Sequence, residues 1–112
     1  MKTFEMRLED TPFSATEKNK KTIEVRLNDE RRKGIGPGDS IRFIRISDNR
    51  PMTRKVVTTR IYKSLKELIE KENFEATGGI YNDTDHWFQE INRYYSQDQQ
   101  EEHGLLVIEL TE

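Results

Sequence analysis

The sequence predicts an α+β fold, a small and mostly antiparallel β-barrel with flanking helices. Five segments have the alternation or the composition of β-strands, and most lie too close together for the helical crossovers that parallel strands need. Only 32% of the 112 residues are apolar, so the core must be thin. Closing a sheet into a barrel removes its exposed edges, which suits a thin core. The length predicts one domain, residues 1–112.

The first half of the chain contains four of the predicted strands. Residues 2–8 and 20–27 alternate apolar and polar side chains, so each presents one apolar face. Residues 40–47 are apolar on both parities, which indicates that parts of both faces are covered. Residues 53–62 are rich in β-branched side chains. The turn sequence at 48–51 predicts that the last two strands form a hairpin.

Helix signals separate and follow these strands. A short helix follows the first strand and ends near Asn19, and the pattern changes to helical spacing after residue 63. Ser64 and Glu67 form a capping-box sequence. Asp10 and Thr11 are the candidate caps of the first helix, Ser64 precedes a helix over 65–72, and Asp83 or Thr84 caps a further helix.

The end of the chain predicts a loop and a final strand. Residues 96–103 are hydrophilic, and Gly104 precedes the apolar segment Leu105–Leu110. The predicted order is therefore strand, helix, three strands, two helices, strand.

Charge is divided unequally between the two halves. Residues 1–66 contain 17 Lys and Arg and 9 Asp and Glu, a sum of +8, whereas residues 67–112 contain 2 and 12, a sum of -10. This division favours a basic face for an anionic partner, and the alternative is that the halves pack together and cancel. The densest basic stretch, 42–66, offers four candidate phosphate-facing arginines on differing parities: Arg42, Arg45, Arg54 and Arg60.

Composition excludes several classes of protein. The chain has no cysteine and only His86 and His103, which excludes disulfide frameworks and thiol catalysis and argues against a metal site. We therefore predict no metal and no cofactor. The longest apolar run, Leu105–Ile108, is far shorter than the ~20 residues that span a membrane. The N-terminus has no apolar signal region, which predicts a cytoplasmic protein.

The strongest candidate site residues lie on the second strand. Glu24 and Arg26 share its polar face, Lys20 and Lys21 stand at its start, and the Lys21 amine is expected to reach out of the barrel mouth. Carboxylates accept hydrogen bonds from exocyclic amines or ribose hydroxyls, and guanidinium and ammonium groups bind phosphate. Two cations and an acceptor within six residues suit a small polar anionic ligand such as a nucleotide. The alternative is an exposed pair of Glu24 and Arg26 with little effect on stability.

The same stretch carries a family signature. Asn19 to Arg26 resembles the Gly-x-Lys-x-x-Glu-x-Arg signature of the ASCH domain family, a branch of the PUA-like β-barrels. Lys21, Glu24 and Arg26 match it, and Asn19 stands at the Gly position. Asparagine tolerates a positive φ better than most residues, so the departure is mild.

Two further segments extend the resemblance over nearly the whole chain. The turn Gly36–Asp39 opens a strand at the expected distance from the signature, and the segment His103–Leu110 is similar to the closing strand of the family. The resemblance implies a PUA-like barrel that binds RNA or a nucleotide in a polar cleft. We therefore predict that Lys20, Lys21, Glu24 and Arg26 contact this ligand.

The resemblance also implies an enzymatic alternative. Some small family members are amidohydrolases that remove the acetyl group from N4-acetylcytidine, with a threonine nucleophile three residues after the lysine. That position is Glu24 here, so Lys21 would polarise the substrate and Glu24 would activate water. A further family glutamate corresponds to Glu70 or Glu72. A third hypothesis is a protein-interaction module that uses the acidic second half.

Other chemistry-bearing residues have structural interpretations. His86 and Glu90 lie four apart on a predicted helix, but two residues do not make a metal site. Trp87 and Tyr94 are able to stack on bases, and their helical spacing favours a core stripe instead.

Overall fold

The computed structural model describes residues 1–111, which form a five-stranded sheet, four α-helices and one turn of 3-10 helix. The α+β class and the order of the predicted elements are confirmed, with one helix and the 3-10 turn added. The elements are β1 (Thr3–Leu8), α1 (Asp10–Glu17), β2 (Ile23–Leu27), β3 (Ser40–Arg45), β4 (Pro51–Tyr62), α2 (Leu65–Lys71), the 3-10 turn (Phe74–Ala76), α3 (Thr84–Tyr94), α4 (Gln97–His103) and β5 (Leu105–Leu110).

The sheet is mostly antiparallel and curls into a half-barrel with strand order β1-β3-β4-β5-β2. Only β1 and β3 are parallel. The long strand β4 pairs with β3 through its first half and with β5 through its second half, and its register shifts between Val56 and Thr58. The prediction of a closed barrel is wrong for residues 1–111, because β1 and β2 are the two edges and do not pair with each other.

Two apolar clusters cover opposite faces of the sheet, and β5 contributes to both. Leu106, Ile108 and Leu110 pack into the cluster that includes Phe13 of α1. Leu105 and Val107 pack on the other side with Trp87 and Leu68 of the helices. This explains why β5 is the most continuous apolar run in the chain, since a strand covered on both faces needs apolar residues at both parities.

The predicted loop at 96–103 is wrong, because most of this segment is helix α4. Ser96 and Gln99 form a reciprocal capping box that satisfies two backbone N–H groups. Gln100 is buried and donates to Asn92 Oδ1 and to the Tyr95 carbonyl. The segment lacks apolar periodicity because its only buried side chain is that of a glutamine, with no apolar stripe.

The helix boundaries differ little from the predictions. Asp10 is the first residue of α1 and Glu9 is its N-cap, so neither Asp10 nor Thr11 is the cap. Ser64 and Asp83 cap α2 and α3 as predicted. No helix within residues 1–111 combines the length and the apolar character needed to cross a membrane.

Candidate functional site

A cleft of about 320 Å³ opens at the gap between the two edge strands of the half-barrel. Residues 7–9 line one side and residues 21–26 form the floor, while α3 and the segment before it form the opposite wall. The Arg26 guanidinium spans the gap, because its Nη2 donates to the Arg7 carbonyl oxygen at 3.0 Å. This volume is at the lower end of the range for small-molecule sites.

Three charged side chains meet on the floor of the cleft. Lys21 Nζ lies 2.5 Å from Glu24 Oε1, and Arg26 Nε donates to Glu24 Oε2 at 2.8 Å. Lys21 and Glu24 are each only 6% exposed. The structure therefore places three of the four predicted site residues together. It contradicts both the expectation that Lys21 extends out of the barrel mouth and the alternative of an exposed Glu24–Arg26 pair.

The backbone before β2 brings Lys21 to this position. Asn19 adopts a φ of 60°, which confirms the prediction that an asparagine serves a positive-φ turn at the signature's glycine position. The N–H groups of Lys20 and Lys21 both donate to the Ala15 carbonyl, which fixes the chain against the end of α1. Lys21 then forms an isolated bridge with Thr77. The lysine is thus held between α1 and the segment that follows the 3-10 turn.

The pKa of Glu24 depends on two opposing effects on the floor, burial and the neighbouring cations. Burial acts to raise the pKa of this carboxyl, but the charges and hydrogen bonds of Lys21 and Arg26 outweigh it and lower the pKa from 4.5 to about 2. Glu24 is therefore a stable anion at neutral pH and a weak proton acceptor.

Acidification is expected to remove about 3 kcal/mol of stability through Glu24 alone. The pKa is about 2 in the folded state against 4.5 ordinarily, a difference of about 2.5 units at 1.36 kcal/mol each. As the pH falls, the unfolded chain binds the proton first, so this stabilisation is complete above about pH 4.5 and is lost toward pH 2. Urea unfolding of the wild type and of Glu24→Gln, measured across this window, tests it. Parallel declines in the two proteins would contradict the assignment to Glu24.

The floor retains capacity for hydrogen bonds to a ligand. Glu24 Oε1 accepts from Lys21 Nζ and can accept once more, whereas Oε2 lies within 2.8 Å of both Nε and Nη2 of Arg26. Arg26 uses Nε and Nη2 on protein partners within residues 1–111, which leaves Nη1 as a donor. The floor therefore presents an acceptor beside donors, the pattern that a nucleobase edge complements.

Aromatic side chains form the wall above the floor. Tyr81 stacks on Trp87 with ring centroids 6.4 Å apart and an interplanar angle of 21°. Tyr94 and Tyr95, at the end of α3, also line the cleft, and Arg93 lies over the Tyr94 ring at 4.8 Å. Burial and the nearby charge of Glu24 raise the pKa of Tyr81 to about 12, so its hydroxyl stays protonated.

Sequence reasoning missed most of this wall. Trp87 is 2% exposed and packs in the core, as the stripe interpretation predicted, yet one side of it lines the cleft. Tyr94 is 56% exposed and does not belong to the core. Tyr95 lies at helical spacing from Trp87 and Ile91, so the predicted stripe offered Tyr94 or Tyr95, and Tyr95 is the one that packs against the core. Tyr81 precedes α3 and had no periodic signal, so the only signal for it was the concentration of aromatic residues between 81 and 95.

The pair His86 and Glu90 also lines the cleft. His86 Nδ1 accepts from the Asn82 N–H, which places the proton of the neutral ring on Nε2, 4.0 Å from Glu90 Oε1. Within residues 1–111 no group of three or more potential metal ligands is assembled. These two side chains therefore contribute polarity to the wall.

Two predicted candidates lie away from the cleft. Lys20 is exposed and lines an adjoining shallow depression rather than the cleft, although it precedes Lys21. Glu72 accepts two hydrogen bonds from Arg60 and one from the Tyr62 hydroxyl, and neither it nor the exposed Glu70 lines the cleft. Glu72 therefore ties the end of α2 to β4.

Most of the predicted basic surface is neutralised. Arg60 lies 2.7 Å from Glu72 and 3.0 Å from Glu109, pairs that join the two oppositely charged halves. Arg45 lies 2.5 Å from Asp48, and Arg42 lies 3.7 Å from Glu5. Arg54 donates to the carbonyls of Thr53 and Glu17. The excess of arginines in 42–66 therefore does not translate into one free cationic face.

The fold and the cleft define an α+β half-barrel protein with a polar, aromatic-walled site of small-molecule size. The crystal structure of hypothetical protein PH0355 superposes with a TM-score of 0.85 and is 32% identical, covering 98% of this chain and 97% of that chain. The solution NMR structure of protein PF0455 from Pyrococcus furiosus has a TM-score of 0.76 and is 30% identical, covering 96% of this chain and 94% of that chain. The chain belongs to the same family as these two proteins. No protein-family model and no curated protein matches it.

Proposed function

We propose that the protein is an ASCH-type, PUA-like RNA- or nucleotide-binding protein whose cleft receives one unpaired nucleobase carrying an exocyclic amine. The observation that carries this proposal is the joint position of Lys21, Glu24 and Arg26 on the floor, beneath aromatic side chains. These three residues match the ASCH signature, and the Asn19 turn has the backbone conformation that the signature's glycine would need.

The aromatic wall supports a base rather than a simple anion. Every base has a π-face, and stacking on an aromatic side chain is worth roughly 1–3 kcal/mol per base. The floor itself carries two cations and one anion, a net charge of only +1, because Glu24 lies between Lys21 and Arg26. A neutral base with a donor and acceptors on its edge matches this floor better than a phosphate does.

Binding is better supported than hydrolysis. A pKa of about 2 makes the Glu24 carboxylate a weak general base at neutral pH, where an effective base has a pKa near the working pH. Glu70 and Glu72, the candidates for the further family glutamate, lie outside the cleft. Hydrolysis of N4-acetylcytidine remains the second hypothesis, and chromatography of an incubated sample tests it directly.

Cytidine is expected to bind at least tenfold more tightly than uridine. The amino group of cytidine donates to Glu24, whereas uridine places a carbonyl oxygen at that position and would face the carboxylate. A site built for a hydrogen bond strongly rejects the analogue that lacks it. Trp87, the single tryptophan of the chain, lines the cleft and reports binding by its fluorescence, with calorimetry as a second measurement. Equal affinities for the two nucleosides, or none below millimolar, would contradict the proposal.

Replacing Tyr81 with alanine is expected to weaken cytidine binding about tenfold or more, through loss of stacking. Phe88→Ala is the matched control, because Phe88 is an exposed aromatic residue of α3 that does not line the cleft. Calorimetry measures both variants, and circular dichroism shows whether each is folded. A similar loss of cytidine affinity in the two variants would contradict stacking of the base on the aromatic wall.

A further inference from the structure

We propose that the cleft is one end of a longer site, in which an adjoining ledge binds the phosphate backbone of single-stranded RNA. The ledge is the shallow depression lined by Asp10, Thr11, Ser14, Ala15, Lys18, Lys20 and Gly78. The ligand is then an RNA strand that places one base in the cleft and a neighbouring phosphate on Lys18 and Lys20. This inference rests on the proposed function and names its ligand class.

The ledge is continuous with the cleft. Thr11 lines both. In the chain, Lys20 of the ledge directly precedes Lys21 of the cleft floor, and Gly78 of the ledge directly follows Thr77 of the cleft. A chain that leaves the cleft on this side therefore passes directly over the ledge.

The two lysines of the ledge are available to a ligand. Both are exposed, and neither lies within ion-pair distance of a carboxylate in residues 1–111. Glu17, the acidic residue beside them in sequence, is paired with Arg50 instead. Asp10 accepts a hydrogen bond from the Ser47 hydroxyl. The ledge thus has free ammonium groups, in contrast to the paired Arg42, Arg45 and Arg60.

The cleft and the ledge suit different parts of a nucleotide chain. The cleft floor has its charges largely compensated and is walled by aromatic rings, which suits an uncharged base. The ledge also has two cations and one anion, but within residues 1–111 neither Lys18 nor Lys20 lies within ion-pair distance of Asp10, which accepts from the Ser47 hydroxyl. Its ammonium groups, unlike the ion-paired cations of the floor, are therefore available to phosphate oxygens, beside the hydroxyls of Thr11 and Ser14. Phosphate contacts position a strand, and contacts to the base edge give specificity.

The test compares cytidine with the pentanucleotide rC5 by calorimetry at two salt concentrations. The wild type is expected to bind rC5 at least tenfold more tightly than cytidine. The double variant Lys18→Gln/Lys20→Gln is expected to lose most of that gain while its affinity for cytidine stays unchanged. The slope of log affinity against log salt should become shallower by about 1 for rC5, because fewer counterions are released.

Lys63→Gln/Lys66→Gln is the control, since it removes the same charge from two exposed lysines that line neither the cleft nor the ledge. Equal affinity of the wild type for cytidine and rC5 would contradict phosphate binding by the ledge and would leave the proposed base site intact. An equal loss in both double variants would also overturn it, because the effect would then be one of net charge. Failure of cytidine and rC5 alike to bind would instead overturn the proposed function and the ledge with it.

Discussion

Replacing Glu24 with glutamine is expected to destabilise the protein by about 3–5 kcal/mol at neutral pH. The change keeps the size of the side chain but removes the anion that Lys21 and Arg26 share at 2.5 and 2.7 Å. Two cations would remain on a buried floor without a counter-charge, and breaking a buried ion pair from one side costs about this much. Because a domain has a total stability of about 5–15 kcal/mol, the loss is large. Urea unfolding followed by circular dichroism measures it.

Glu109→Gln is the matched control for this experiment. Glu109 pairs with Arg60 at 3.0 Å, but its side chain is 39% exposed and Arg60 keeps Glu72 as a partner. The expected loss is therefore about 1 kcal/mol or less. A loss in Glu24→Gln no greater than that in Glu109→Gln would show that the floor charges are solvated rather than mutually dependent.

Replacing Gly78 with alanine is expected to destabilise the protein by about 2–4 kcal/mol. Gly78 has a φ of +85°, and an added Cβ would lie 2.7 Å from the Lys21 Cβ and 2.8 Å from the Lys21 nitrogen. The positive φ strains any L side chain by about 1 kcal/mol or more, and overpacking adds roughly 1–3 kcal/mol. The backbone of Lys21 must shift to relieve the contact, so the ammonium would move away from Glu24 and cytidine binding would weaken as well.

Gly79→Ala separates the two contributions. Gly79 has a φ of +75°, but nothing lies within 4 Å of its added Cβ. The variant should therefore lose only about 1 kcal/mol and retain cytidine binding. Thermal or urea unfolding of both variants, together with calorimetry, makes the comparison. Equal losses of stability would mean that backbone strain alone is responsible and that the approach to Lys21 is unimportant.

Both predictions concern the buried ion cluster on the floor, which under the proposed function orients charged groups toward a ligand. A buried ion cluster rarely stabilises a protein more than apolar residues of the same volume would. On the floor of a cleft, however, Lys21, Glu24 and Arg26 hold one another in fixed positions. A ligand that meets these preoriented groups loses less entropy on binding.

Much of the fold was predictable because its signals are local. The hairpin of β3 and β4 follows from two strand-like segments and a turn between them, and the final strand β5 follows from the apolar run Leu105–Ile108 after Gly104. Helix α4 was not predicted because it lacks an apolar stripe: its only buried side chain is Gln100, which donates to Asn92 of α3 and to the Tyr95 carbonyl, and its one local helix signal is the capping-box sequence of Ser96 and Gln99. A buried amide has no periodic signature in a sequence.

The site was predictable only where its residues form a motif on one strand. Lys21, Glu24 and Arg26 lie within six residues of each other, so their spacing and their match to a signature identified them. Tyr81 and Glu90 reach the same cleft from a distant part of the chain, because α3 packs across the gap between β1 and β2. Lys20, one residue from Lys21, was predicted with it and yet lies outside the cleft.

The sequence by itself determined the class of the fold and the order of most elements, because these depend on periodicity and capping within short segments. It indicated the three charged residues of the floor through their match to a short signature. The tertiary structure decided that the barrel stays open between β1 and β2, that Arg26 spans this gap, and that aromatic residues of α3 and of the segments on either side of it wall the cleft. It also decided which basic residues are free, since ion pairs such as Arg60 with Glu72 join residues far apart in the chain. The physical reason is that burial and charge compensation depend on distances in space, which the order of residues does not contain.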